Sequence, residues 1–269
     1  MPNEPIQSDR QSDRQDQQTE WGGYDPAKDE LRSQIWTALK QQGICRRDPI
    51  GHIPNFQGAI EAAERLATLP VWQQAKVIKC NPDAPHIPVR LKALQEDKRL
   101  YMAVPRLTNR RCFVELTAEA LEAKGIDLAE VAIARNALRC GRFVSFEEME
   151  PIDLVTVGCV AVARSGGRTG KGAGFADLEL AMLKRFGLVQ DNTPIVTTVH
   201  SLQIVPDDRL PMQSHDWAVN WIVTPDEAIE TQVAFPRPSG LMWERIRPEQ
   251  YKKIPILRKL REEGIDNES

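Results

Sequence analysis

The sequence predicts an α/β fold with a mainly parallel central sheet and helices on both faces, in three layers. Three observations predict it. Short β-branched, apolar runs recur at 77–80, 99–104, 154–162, 194–199 and 221–223, and strands apolar on both sides are strands covered on both sides, as parallel ones are. Segments with helical spacing alternate with those runs, which is the pattern of strand–helix–strand units. A glycine-rich stretch follows one run and precedes a helical segment, and ligands bind parallel sheets at such carboxyl ends of strands.

The elements follow in order. Residues 1–23 carry the tandem Ser8-Asp9-Arg10-Gln11 and Ser12-Asp13-Arg14-Gln15 with few large apolar groups, too little to offset ordering, so a disordered polar tail is expected. Order begins at Asp25-Pro26, an N-cap residue followed by a proline suited to the first helical position. Leu31, Ile35 and Leu39 then recur at helical spacing and predict a helix to about Lys40. A second helix is expected over 56–69, closed by Pro70. Strands and helical segments alternate from Val77, and a helix is expected over 177–186 after the glycine-rich stretch. The α/β domain runs over 24–235. Residues 236–269 form a Pro-rich and then charged extension, with Tyr251, Ile254, Ile256, Leu257 and Leu260 available to dock a terminal helix.

Composition narrows the function. The 269 residues are 41% hydrophobic, enough for a sizeable core, and the formal net charge of −3 gives no basic excess for generic nucleic-acid binding. No run approaches the length a membrane helix needs and the amino terminus is not signal-like, so a cytoplasmic protein is expected. Cys45, Cys80, Cys112, Cys140 and Cys159 form no C-x-x-C pair and read as buried free thiols. His52, His86 and His200 have no metal-ligand spacing. Trp36, Trp72, Trp217, Trp221 and Trp243 read as packing residues.

The stretch Arg164-Ser165-Gly166-Gly167-Arg168-Thr169-Gly170-Lys171-Gly172-Ala173-Gly174-Phe175-Ala176-Asp177 holds five glycines within nine positions. Glycines let the backbone bend and approach a ligand closely, so that successive N–H groups converge on phosphate oxygens. Arg168 and Lys171 add positive charge beside those donors. A flexible loop with solvated basic residues is the plainer alternative. Lys171 is not followed by Ser or Thr, which excludes a Walker A loop, and the spacing is not that of a dinucleotide fingerprint.

Gly166, Arg168, Gly170, Gly172, Gly174 and Asp177 fall in register with the signature G-x-R-x-G-x-G-x-G-Y-Y-D, so the stretch resembles the 5-formyltetrahydrofolate cyclo-ligase family. Lys28-Asp29-Glu30-Leu31-Arg32 is similar to the family's amino-terminal K-x-x-L-R. Residues 100–106 are similar to its strand ending in Pro-Arg. Leu210-Pro211, His215-Asp216 and Trp221-Ile222-Val223-Thr224 are similar to its closing segment. Asn81-Pro82-Asp83-Ala84-Pro85, residues 88–94 and Ala176-Asp177-Leu178-Glu179 resemble a divergent branch, the methenyltetrahydrofolate synthetase domain-containing proteins. Animal members of that branch carry an RNA-recognition domain, and none is expected within these 269 residues.

The resemblance implies a fold similar to the NagB/RpiA/CoA-transferase-like type and an ATP- and Mg²⁺-dependent closure of 5-formyltetrahydrofolate to 5,10-methenyltetrahydrofolate, with ADP and phosphate released. The formyl oxygen is phosphorylated, N10 attacks the activated carbon, and phosphate leaves. Such a reaction needs positioning and fixed electrostatics more than a protein nucleophile. Arg168 and Lys171 are then the catalytic candidates. Lys28, Arg32, Gly170, Gly172, Gly174, Phe175 and Asp177 are the binding candidates, with Asp177 also a candidate Mg²⁺ ligand or simply an N-cap. Lys28 and Arg32 share one helix face, which without the resemblance reads as solvated. His215-Asp216 is either an orienting pair or part of a surface loop. The expected partner is a reduced formylfolate or related small metabolite, with no nucleic acid or membrane, on a monomer or homodimer.

Phe175-Ala176 stand where the family has paired tyrosines, and Asp83 is the only acid in the loop where typical members carry a pterin-binding one. The nucleotide half of the resemblance is therefore fuller than the folate half. An ATP-using relative acting on another metabolite and a non-catalytic nucleotide- or RNA-associated regulator remain alternatives.

Overall fold

The computed structural model describes residues 25–107 and 110–266; the tail expected over 1–23 lies outside them. The chain opens with helix α1 (Pro26–Gln41), whose N-cap Asp25 accepts from the Lys28 N–H and whose first position is proline. Helix α2 (Ala59–Ala67) follows, and Pro70 does not merely close it. It starts a further turn, α3 (Pro70–Gln73), because proline's missing N–H is harmless at a first helical position.

Strand β1 (Val77–Cys80), helix α4 (Ile87–Gln95) and strand β2 (Arg99–Ala103) form the first parallel unit. Next come β3 (Phe113–Leu116), the short helices α5 (Ala118–Glu122), α6 (Leu128–Val131) and α7 (Ala134–Cys140), and β4 (Arg142–Val144). The chain then returns to the sheet centre as β5 (Leu154–Thr156). It continues through β6 (Ala161–Ala163), β7 (Arg168–Thr169), α8 (Phe175–Arg185), β8 (Ile195–Thr198), β9 (Ile204–Val205), β10 (Trp221–Val223) and β11 (Ala228–Glu230). It ends in α9 (Pro248–Lys253) and α10 (Pro255–Asp266).

The large sheet has eight strands in the order β11-β10-β8-β5-β1-β2-β3-β4. Its five central strands, β10, β8, β5, β1 and β2, run parallel, while β11, β3 and β4 join antiparallel at the edges, so the sheet is mixed. Side-chain alternation divides the core across it. Val77, Tyr101 and Val155 face α8 and α10, where they join Leu180, Leu183, Ile254 and Leu257. Ile78, Leu100 and Leu154 face α2 and α4, where they join Leu66, Val89 and Leu94.

The single strand expected over 154–162 is two. After Thr156 the chain leaves the large sheet through Val157 and Gly158, and β6 enters a second sheet of order β7-β6-β9. Gly158 is where the departing chain is crowded, since a Cβ there would lie 3.0 Å from an Ile53 methyl and 3.4 Å from the Asp83 carboxylate. An unbroken apolar run conceals such a change of sheet, because both pieces are fully buried.

Candidate active site

The glycine-rich stretch does two jobs. Its first part is a hairpin: β6 and β7 pair antiparallel, and the turn between them places Gly166 at φ +91 with the Val219 carbonyl 2.6 Å from where a Cβ would sit. Gly166 is thus a packing requirement of the turn. The second part, residues 170–174, is the open loop that enters α8, with Gly174 as a left-handed N-cap at φ +69 and no Cβ clash at Gly170. Among the described residues, no acceptor takes the loop's N–H groups from Gly170 to Gly174. Free amide donors at the positive end of an eleven-residue helix suit an anion.

The basic candidates gather beside that loop. Lys28 and Arg32 share a face of α1, as their spacing requires, and both are buried. The Lys28 ammonium pairs with Asp216. Arg32 donates from Nη1 to the Thr169 hydroxyl at 2.6 Å and from Nη2 to Asp29. Arg168, buried on β7, donates to Asp177 Oδ1 at 2.6 Å, and the same oxygen accepts the Trp217 N–H at 3.0 Å. Lys28, Arg32, Arg168 and Asp177 therefore form one connected network through Asp216-Trp217 and Thr169. Lys171 stands on the other side of the loop, where its ammonium donates to Asp83 Oδ1 at 3.0 Å. Each of these four cations has a carboxylate partner.

Asp177 is not the N-cap that its place after the glycines offered: Gly174 takes that position with no side-chain cap, and Asp177, inside the first turn of α8, ties β7 to the segment before β10. With Oδ1 already accepting two hydrogen bonds, it offers a metal at most its second oxygen. Among the described residues no three His, Cys, Asp or Glu side chains cluster as an all-protein cage. One carboxylate beside a loop of free amide donors would fit a Mg²⁺ held mostly by phosphate and water. Phe175 is partly buried against the main core cluster, so its ring is a wall and not an open platform. His215 Nε2 lies 3.8 Å from Asp216, too far for a hydrogen bond, and Asp216 turns instead to Lys28 and to the Gln213 N–H. Of the tryptophans, Trp72 and Trp217 are fully buried, as packing residues should be.

The loop after β1 closes the site and holds groups that sequence reasoning passed over. Arg90, on α4, donates to the carbonyls of Asn81 at 2.5 Å, Asp83 at 3.2 Å and Ala132 at 2.8 Å, and so pins the loop to the helix layer. Burial works to raise the Asp83 carboxyl, but the Lys171 ammonium and Arg90 outweigh it and hold it below the usual carboxylate range. His86 is fully buried with neither ring nitrogen hydrogen-bonded, and burial pushes it down to about 3. Lys79, buried in β1, pairs with Glu179 of α8 and donates to Asn81 Oδ1 at 2.7 Å. Burial pushes the Glu179 carboxyl up against the pull of Lys79. A lysine inside an apolar strand run was the available signal for that pair. Cys80, Cys112 and Cys159 are buried and all five cysteines are free thiols.

A model of the 5-formyltetrahydrofolate cyclo-ligase family matches residues 24–225. Methenyltetrahydrofolate synthase domain-containing proteins are similar across most of the chain. The Mus musculus protein is 39% identical over 238 residues, covering 88% of this chain and 63% of its own length. The Homo sapiens protein is 37% identical over 237 residues, covering 87% and 61%. The chain thus spans about three-fifths of the length of these curated relatives. A solved Aquifex aeolicus 5,10-methenyltetrahydrofolate synthetase covers 80% of this chain and 100% of its own at 19% identity, with a TM-score of 0.47. No described helix is long and apolar enough to cross a membrane. With the family match extending from α1 to the end of β10, the chain belongs to the 5-formyltetrahydrofolate cyclo-ligase family.

Proposed function

We propose that the chain is an ATP-dependent 5-formyltetrahydrofolate cyclo-ligase-like enzyme that forms 5,10-methenyltetrahydrofolate, on the NagB/RpiA/CoA-transferase-like fold its family implies. The observation that carries this reading is the network of Lys28, Arg32 and Arg168 on one side of a loop of free amide donors at the start of α8, with Lys171 on the other. ATP with Mg²⁺ supplies the phosphoryl group that activates the formyl oxygen. The loop amides from Gly170 to Gly174 and the Lys28–Arg32 face orient the phosphates, and Arg168 and Lys171 stabilise the charge that builds up on the transferring group. Asp177 holds Arg168 in place and offers its remaining oxygen to Mg²⁺, directly or through water.

A related metabolite as the activated group is the second reading. Ala176 favours it, because it leaves no ring or hydroxyl where the family signature has a tyrosine. The deciding assay is absorbance of purified protein with ATP, Mg²⁺ and 5-formyltetrahydrofolate. The methenyl product should appear in the complete mixture and not without ATP. Nucleotide binding with no product would shift the assignment to another substrate.

A further inference from the structure

The carboxyl-terminal segment lies beyond the last residue of the family match, yet it touches the glycine loop directly. Gln250, on α9, is 3% exposed and uses both ends of its carboxamide. Its Oε1 accepts the Arg247 N–H at 2.9 Å, and its Nε2 donates to the Ala173 carbonyl at 2.9 Å. Arg247 adds a longer bond from Nη2 to the Gly172 carbonyl at 3.3 Å. The approach is close enough that a Cβ on Gly174 would stand 3.3 Å from Gln250 Nε2. Beneath these contacts, Ile246, Ile254, Ile256, Leu257 and Leu260 are buried in the same core cluster as Leu180 and Leu183 of α8.

We infer that this segment is a strap that presets the glycine loop for phosphate, with Gln250 and Arg247 as positioning residues. In a trans peptide unit the C=O of one residue and the N–H of the next point in opposite directions. Drawing the carbonyls of Gly172 and Ala173 onto α9 therefore turns the N–H groups of Ala173 and Gly174 away from it, toward the open side of the loop. Glycine backbones flip their peptide planes at little cost, so without the strap these donors would be scattered among orientations. Fixing them beforehand removes an ordering penalty from ligand binding. The inference rests on the loop being the nucleotide-phosphate site.

Titration of the full chain with Mg²⁺ and a non-hydrolysable ATP analogue by calorimetry tests it. Gln250→Glu keeps the shape of the side chain but replaces the donor to Ala173 with an oxygen. It should weaken the analogue about tenfold or more, the scale set by losing one preorganised contact and adding a charge beside the phosphates. Gln250→Met, which only deletes the polar contacts, should weaken it about fivefold and speed amide hydrogen exchange at Ala173 and Gly174. Either variant that folds suffices. Analogue affinity and loop exchange both unchanged from wild type would overturn the strap. No binding by the wild-type chain would instead overturn the nucleotide reading of the loop, and the strap's role in it.

Discussion

At His86 the protein holds an imidazole with no hydrogen-bond partner beside a carboxylate, and the consequence is a measurable pH dependence of folding. Burial, helped by Arg90 and Lys79 and opposed by Asp83, depresses the folded-state value to about 3 from an ordinary 6.5. The unfolded chain therefore binds a proton that the folded chain refuses between those limits. Stability from this residue is present above about pH 6.5 and is lost as the pH falls toward 3, by about 1 kcal/mol per pH unit. Urea denaturation of wild type and His86→Gln across pH 7 to 4 should show a shallower slope in the variant; equal slopes would assign the acid sensitivity elsewhere. Nothing in the sequence announced this, because a histidine in a Pro-rich loop reads as a surface group until α2 and α4 are packed over it.

The glycine-rich stretch shows what single elements demand of one residue type. In the β6–β7 turn Gly166 has a positive φ and a carbonyl against it, whereas Gly170 sits in open space. Gly166→Ala should cost about 1–3 kcal/mol of folding stability through backbone strain. Gly170→Ala should leave the denaturation midpoint near wild type and lower only nucleotide affinity. Equal stability losses in the two would mean that both glycines serve the hairpin alone. The signature's register was legible in the sequence, and so was the α1 face carrying Lys28 and Arg32, since both are local patterns. The division of labour among the glycines was not, because it depends on Val219 and Thr231, which are distant in the chain. The strand runs that became β1, β2, β8 and β10 were legible for the same local reason. The switch of sheets at Gly158 was hidden by uniform apolarity, and the Lys79–Glu179 pair by its non-local partner.

At the scale of the molecule, the extension expected over 236–269 packs its terminal helices on the core of the domain expected over 24–235. Ile254, Leu257 and Leu260 are buried with Val155, Ile195 and Trp217, so the extension completes one face of the sheet. We propose that a chain ending at Phe235 loses cooperative unfolding, with exposed core on the α8 side. Calorimetry should show a single transition for the whole chain and a broad or absent one for the shortened chain; a sharp transition in the latter would make the 24–235 domain self-sufficient. Five parallel strands set the loops after β1, β5 and β8 at one rim, which is why pieces as far apart as Asp83 and Lys171 meet there.

The four basic candidates around the loop each hold a carboxylate of their own. With Lys28, Arg32, Arg168 and Lys171 each already matched by Asp216, Asp29, Asp177 and Asp83, the resting rim behaves like a loaded ion exchanger. An incoming anion must displace internal counter-ions, a contest in which a monovalent buffer ion gains little. A chelating polyanion that reaches several cations at once wins by avidity. On the proposed reading of the loop, selectivity for the number of linked negative charges would follow from this pairing alone, before pocket shape comes into play.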